Sequence, residues 1–231
     1  MSLFAKICKQ AKFLETTNGT LWKNNLMILK SLMDDIQIAD LDISPYLFSK
    51  RAFEAQKKAP CTFINILEDK SFTISVFILD ANYTMPLHDH PGMSGLLKVI
   101  SGDVKIQSYS QIKLPVELET NENQHELFVN PNEPKYLNSK TETQILGPLE
   151  SNYHEITALN SPAAFMDILT PPYSNNDYTT SSSEEPRHCS FYRKLVVYFN
   201  GNKVMKLERI PTPNSYYCDS INYHQPDVQR D

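Results

Sequence analysis

Between Cys61 and Leu169 the chain breaks into short apolar segments, and no amphipathic stretch of helical length separates them. The segments Cys61–Glu68, Phe72–Leu79, Gly95–Ile100, Val104–Tyr109, Thr143–Leu146, Tyr153–Leu159 and Ala163–Leu169 read as strands. Strands that follow one another without intervening helices must bury their apolar faces against one another. That means a barrel or a double-sheet jelly roll. Phe191–Phe199 and Lys203–Arg209 read as a later hairpin turning at Asn200-Gly201-Asn202. The polar, Pro- and Asn-rich stretch from Gln111 to Thr143 reads as a surface excursion, and Ser174 to Arg187 as another loop. The beginning of the chain is different in kind: Leu21, Trp22, Leu26, Leu29, Leu32 and Met33 form a helical stripe. The expected fold is therefore mainly β, with N-terminal helices. Residues 1–58 form a helical segment over one end of the barrel, and 59–231 form the barrel domain. A chain of 231 residues can build this around one core.

Composition narrows the function classes. A net charge of −5 and a pI of about 5.7 give no basic footprint for nucleic acid. No apolar run is long enough to span a membrane. The four cysteines (Cys8, Cys61, Cys189, Cys218) are scattered, with no C-x-x-C, so reduced thiols in the cytoplasm are the simplest account. Lys6, Lys9 and Lys12 precede the first acid, yet arginine is absent there, and an amphipathic helix start is a better reading than a transit peptide.

The segment Met85-Pro86-Leu87-His88-Asp89-His90-Pro91-Gly92-Met93 carries the chemistry. On a strand, residues i and i+2 share a face, so His88 and His90 would aim two imidazoles at one point, while Asp89 points away. Pro91-Gly92 would end the strand just beyond them. A bare His-x-His is more often a half-buried pair than a metal site. Here it is followed by Gly95 and, after six residues, by Gly102. This spacing resembles the first cupin motif, G-x5-H-x-H-x3,4-E-x6-G, with one departure: the glutamate position is occupied by Gly95. The Ser101-Gly102-Asp103 turn reads as the bend of a hairpin. A third ligand must come from elsewhere. His125, His188 and His224 lie in polar surroundings, whereas His154 shares one strand face with Ile156 and Ala158.

The block around His88, with Gly95, Leu97, Lys98 and Val99, resembles the cysteamine dioxygenase and plant cysteine oxidase family of thiol dioxygenases. So do Tyr153-His154-Glu155-Ile156 and the run from Ser161-Pro162-Ala163-Ala164-Phe165-Met166-Asp167 to Thr170-Pro171-Pro172-Tyr173. Cys189-Ser190-Phe191-Tyr192-Arg193 and Tyr217-Cys218 fit less specifically. The resemblance spans roughly residues 60–220 and is closest to the animal branch. It implies a cupin-type double-stranded β-barrel holding Fe(II) on His88, His90 and His154. It also implies a small aminothiol or the N-terminal cysteine of a peptide or protein as substrate, O₂ as cosubstrate, a sulfinic acid as product, and a place in oxygen sensing through an N-degron pathway. Asp167 and Tyr173 match the family's active-site carboxylate and tyrosine. Cys189 matches a cysteine that some animal members crosslink to a tyrosine two residues on; that position is Phe191 here, and Tyr192 would face away. A monomer is expected.

The missing carboxylate is chemically consistent. Three neutral imidazoles leave a ferrous ion its full charge and about three open positions. A thiol substrate supplies its own anion. Two rivals remain: a metal cupin acting on a carbon substrate, which usually keeps the glutamate, and a metal- or ligand-binding cupin without catalysis.

Overall fold

The computed structural model describes residues 1–15, 17–56, 59–113, 126–174, 187–199 and 201–223. Helix α1 (Leu3–Glu15) buries Phe4, Ile7, Ala11 and Leu14, a stripe at helical spacing. Helix α2 (Gly19–Asp34) buries Leu26, Leu29 and Met33; Leu21 stays exposed and Trp22 half-buried, so its stripe starts a turn later than the sequence pattern suggests. A short α3 (Lys50–Gln56) leads into the strands.

Thirteen strands follow among the described residues: β1 (Cys61–Glu68), β2 (Thr73–Leu79), β3 (Thr84–His88), β4 (Ser94–Ser101), β5 (Asp103–Ile112), β6 (Leu127–Pro131), β7 (Lys135–Asn138), β8 (Gln144–Leu146), β9 (Tyr153–Ala158), β10 (Ala163–Thr170), β11 (Phe191–Phe199), β12 (Asn202–Ile210) and β13 (Cys218–Asn222). They form two sheets, β13-β1-β2-β10-β4-β8 and β6-β12-β11-β3-β9-β5-β7, and β6 also pairs with β5. This is a cupin-type double-stranded barrel. Leu79, Leu97, Val99, Val104, Ile106, Ile156, Ala158 and Phe165 meet between the sheets.

The first sheet is apolar on both faces, as a covered sheet must be. Its second face (Ile64, Ile74, Val76, Leu96, Met166, Ile168) packs against α1 and α2. The helices thus cover the outside of one sheet, not one end of the barrel. They also sequester Lys98, whose ammonium donates to the carbonyls of Ser139 and Thr141 at 2.8 and 2.6 Å.

Two other expectations need correction. Ser101-Gly102-Asp103 is not a hairpin bend: β4 and β5 lie in different sheets, and the link is the corner between them. One residue cannot close a two-stranded turn, whereas it can redirect the chain. The stretch from Gln111 to Thr143 holds β6 and β7, both paired to β5. Strand β7 is largely polar and becomes a strand by adding to the edge of a long neighbour, a tertiary effect that alternation does not report; β6 buries Phe128 and Val129 between β5 and β12 but is only five residues long, too short to show a period. What holds for β7 holds for β13, which runs parallel to β1. The hairpin β11–β12 forms as expected, with Phe199 opposite Asn202.

Gly102 has φ +68°, and a Cβ there would lie 2.5 Å from the Pro162 carbonyl oxygen and 2.8 Å from Ala163 Cα. Both are backbone atoms of the turn into β10 and cannot rotate away. Gly102→Ala should therefore lower stability by about 2–4 kcal/mol in chemical denaturation. A loss under 0.5 kcal/mol would show that the corner is more pliant than its contacts indicate.

Candidate metal centre

His88 is the last residue of β3 and His154 the second of β9, and the two face each other directly across the ladder. His90 lies two residues past the end of β3, in the loop. The pair is therefore not a straight i, i+2 strand pair. Strand β3 ends sooner than expected, after a register shift between Met85 and His88. The loop, not the pleat, turns the second imidazole inward. The three rings have centroids 4.7–5.1 Å apart. One nitrogen of each lies within 4.8 Å of the others, the only such cluster among the described residues. Of the remaining histidines, His188 is exposed, and His125 and His224 lie outside the described residues.

Hydrogen bonds fix the tautomers. His88 Nδ1 lies 2.8 Å from the Pro86 carbonyl, which can only accept, so the proton is on Nδ1. The Tyr173 hydroxyl donates to the Asp89 carbonyl at 2.7 Å, which leaves its oxygen to accept from His90 Nδ1 at 2.8 Å. The Ser151 backbone beside His154 favours a proton on its outward side, and its Nε2 faces His90 Nε2 at 3.4 Å. Those two Nε2 atoms therefore present lone pairs to each other. A common ion about 2.1 Å from each sets such nitrogens roughly 3.0–3.4 Å apart. Burial lowers the basicity of all three rings, most for His90 and His154, where the neighbouring imidazoles add to it. Three neutral, buried, pre-oriented imidazoles are a donor set that fits a transition-metal ion.

The loop between the first two histidines is tightly framed. Asn152, almost fully buried, accepts from the His90 N–H at 3.0 Å and donates to the His90 and Gly147 carbonyls. Asp89 points away from the rings, as its place between them implies. Its carboxylate accepts from the Ser190 N–H at 2.8 Å and the Tyr192 hydroxyl at 2.7 Å. Sequence reasoning passed over Asn152 altogether. Its one signal is its position two residues before His154 in a segment that must turn into β9.

Gly95 stands where the cupin motif has its carboxylate, and the structure leaves no room for one. A Cβ there would meet Leu146 Cγ and Leu169 Cδ2, each at 2.9 Å. Two leucines occupy the volume that a fourth ligand would need.

The family model PCO_ADO matches residues 32–228. The chain belongs to this family. Among curated relatives it is 33% identical to the 2-aminoethanethiol dioxygenase of Mus musculus, over 83% of this chain and 79% of that protein. The Homo sapiens 2-aminoethanethiol dioxygenase is 36% identical over 74% of this chain and 66% of its own length. Plant cysteine oxidase 1 of Arabidopsis thaliana is 26% identical over 74% of this chain and 55% of its own length. A solved cupin superfamily protein from Desulfitobacterium hafniense aligns over 50% of this chain and 81% of its own, at 9% identity and TM-score 0.35. This PCO_ADO chain is a thiol dioxygenase, and its three-histidine cluster suits the metal that such an enzyme needs.

The imidazoles line a cavity of about 260 Å³ that also touches Phe77, Phe165, Asp167, Tyr173, Cys189 and Tyr216 and reaches Asn65 and Glu68 at the surface. Asp167 projects into it from β10. One of its carboxylate oxygens is buried with no hydrogen-bond partner, and burial raises the acid to about 7. Tyr173 stays a phenol, its ionisation strongly disfavoured by burial. Cys189 is exposed as a residue, but its thiol lines the cavity beside Tyr173, and desolvation there raises it to about 11. The phenol beside Cys189 is thus Tyr173, a neighbour that spacing along the chain could not reveal. Phe191 turns inward, its ring 6.4 Å from that of His88, while Tyr192 turns outward to Asp89.

A carboxyl whose folded value lies above its unfolded one binds more protons when folded. Its cost is absent below about pH 4 and grows as pH rises towards 7. Asp167→Asn keeps the shape and removes the charge. The metal-free variant should be more stable than the metal-free parent by about 2–4 kcal/mol at pH 7.5 and equal to it near pH 4. Denaturation at the two pH values measures this, and a uniform destabilisation would show that Asp167 has a partner in the folded protein.

Proposed function

We propose that His88, His90 and His154 hold Fe(II), and that the substrate is a thiol carrying a nearby amine. The N-terminal cysteine of a peptide is the favoured form, and a free aminothiol such as cysteamine enters the same pocket. The observation that carries this is the unpartnered oxygen of Asp167 in the cavity wall beside the imidazoles. A buried acceptor without a donor is costly, and a substrate ammonium would both pair with it and favour its ionised form. The cavity's reach to the exposed Asn65 and Glu68 favours the peptide. A two-carbon aminothiol has no use for the outlet past Phe63 to Asn65 and Glu68, through which a continuing chain can leave.

When bound, Fe(II) supplies affinity for a thiolate and activation of O₂. The protein does the rest. The neutral imidazoles leave the thiolate as the main counter-charge, and Leu146 and Leu169 keep a carboxylate from competing. Tyr173 holds the orientation of His90 and presents its hydroxyl to the pocket. Phe77, Phe165 and Tyr216 narrow the space open to water. Both atoms of O₂ pass to sulfur, giving a sulfinic acid. This reading takes the protein to act as a cytoplasmic monomer. Among the described residues no helix is long and apolar enough to cross a membrane.

Anaerobically loaded protein should contain one iron, and His88→Ala, His90→Ala or His154→Ala should each lose it by elemental analysis. A His154→Ala variant with full iron and activity would exclude the third ligand. With ¹⁸O₂, a Cys-initiated peptide and cysteamine should each gain two labelled oxygens by mass spectrometry. A metal-binding protein without catalysis would consume no O₂. Asp167→Asn should reduce kcat/KM for the peptide by about 10- to 1,000-fold and leave iron content unchanged.

A further inference from the structure

Cys61 and Cys218 are far apart in the chain but meet in the fold. Each opens its strand, and the parallel register of β1 and β13 sets them directly opposite each other. Side chains at such positions leave the sheet on one face, with Cα atoms about 4.8 Å apart, inside the range a disulfide spans. Both are free thiols here, they pack in the same cluster, and each shifts the other's ionisation. Their environments differ. Cys61 is fully buried, and its contact with Cys218, together with burial, pushes its ionisation up. Cys218 is half-buried, and the neighbouring Cys61 and then Tyr216 hold its thiol below the ordinary value despite burial. One thiol is accessible and more readily ionised; the other waits behind it. That is the arrangement of an attacking and a resolving cysteine.

The pair also touches the pocket. Tyr216, two residues before Cys218 and packed against the same cluster, lines the cavity, and its ring lies 5.1 Å from that of Phe191, the residue packed against His88. Strand β13 is a five-residue edge strand, mostly exposed. We propose that Cys61 and Cys218 form a reversible disulfide that fastens β13, and with it Tyr216, to the wall of the substrate pocket, the oxidant being a low-molecular-weight disulfide. The Cys218 thiolate attacks one sulfur of the small disulfide and expels its first thiolate. Cys61 then gives up its proton and attacks Cys218 Sγ, which breaks the mixed disulfide and expels the second thiolate. The two expelled thiolates take up the two protons. Two protein thiols are oxidised and one small disulfide is reduced to two thiols. Cys8 lies on α1 and Cys189 against Tyr173, so neither shares this register.

The iron-loaded full chain is incubated anaerobically with oxidised glutathione. Thiols titrated in denaturant should fall from four to two, a linked Cys61–Cys218 peptide lighter by two hydrogens should appear in the digest, and dithiothreitol should reverse both. Cys61→Ser should trap a glutathione adduct on Cys218, and Cys218→Ser should keep its three remaining thiols. Hydrogen exchange over Cys218–Asn222 should slow at least tenfold in the oxidised protein. The pair is excluded if four thiols survive, if the two lost are Cys8 and Cys189, or if Cys218→Ser loses two as readily. Formation of the bond with unchanged exchange over β13 would overturn its fastening role.

Discussion

The site depends on keeping three uncharged imidazoles converged in a buried space with no protein anion among them. Lone pairs aimed at one another repel, and imidazoles removed from water lose hydrogen bonds. The protein supports that arrangement from outside the cluster. The Pro86 carbonyl and the Tyr173 hydroxyl each take one ring proton, the Ser151 backbone favours one on the outward side of His154, and the inward nitrogens are left bare. The β3–β9 ladder sets His88 opposite His154, and Asn152 clamps the backbone of His90 from both sides. Each contact is ordinary. Together they leave the cluster one easy way to lower its energy, which is to bind a cation.

The same constraint explains the surroundings. Leu146 and Leu169 fill the place of a fourth ligand, so the charge of a bound ion stays available to an incoming anion. Asp167, the buried carboxylate of the pocket, takes no part in the imidazole hydrogen bonds and keeps one oxygen unpartnered, with its acidity weakened by burial. On the proposed reading, a neutral ligand set and a buried acid would divide the recognition of an aminothiol between them, sulfur at one and nitrogen at the other. Asp89, close by in sequence, is spent on structure: it ties the histidine loop to Ser190 and Tyr192.

What could be read from the chain, and what could not, follows a physical division. Strands buried on one or both faces announce themselves, and β1, β10 and the β11–β12 hairpin lie within a residue of where alternation puts them. Strands β7 and β13 are polar and short and are held by hydrogen bonds to a neighbour's edge, so composition masks them; β6 is apolar but only five residues long, and its pairing with β5 and β12 is long-range. The Gly102 corner looked like a hairpin because local sequence specifies a tight turn and not which sheet receives the next strand.

The amino-acid sequence by itself determined the donors and the character of the site: two histidines two residues apart, a third on an inward strand face, and a glycine in place of the acid. Residue identity and short-range periodicity suffice for that, because the chemistry of a ligand set belongs to its side chains. Tertiary structure decided the rest. It turned His90 inward through a loop and set Tyr173 beside both His90 and Cys189. It left one oxygen of Asp167 unpaired and set Cys61 against Cys218. Each of these contacts joins groups distant along the chain. Their distances are set by how two twisted sheets close on each other, and no local pattern encodes that.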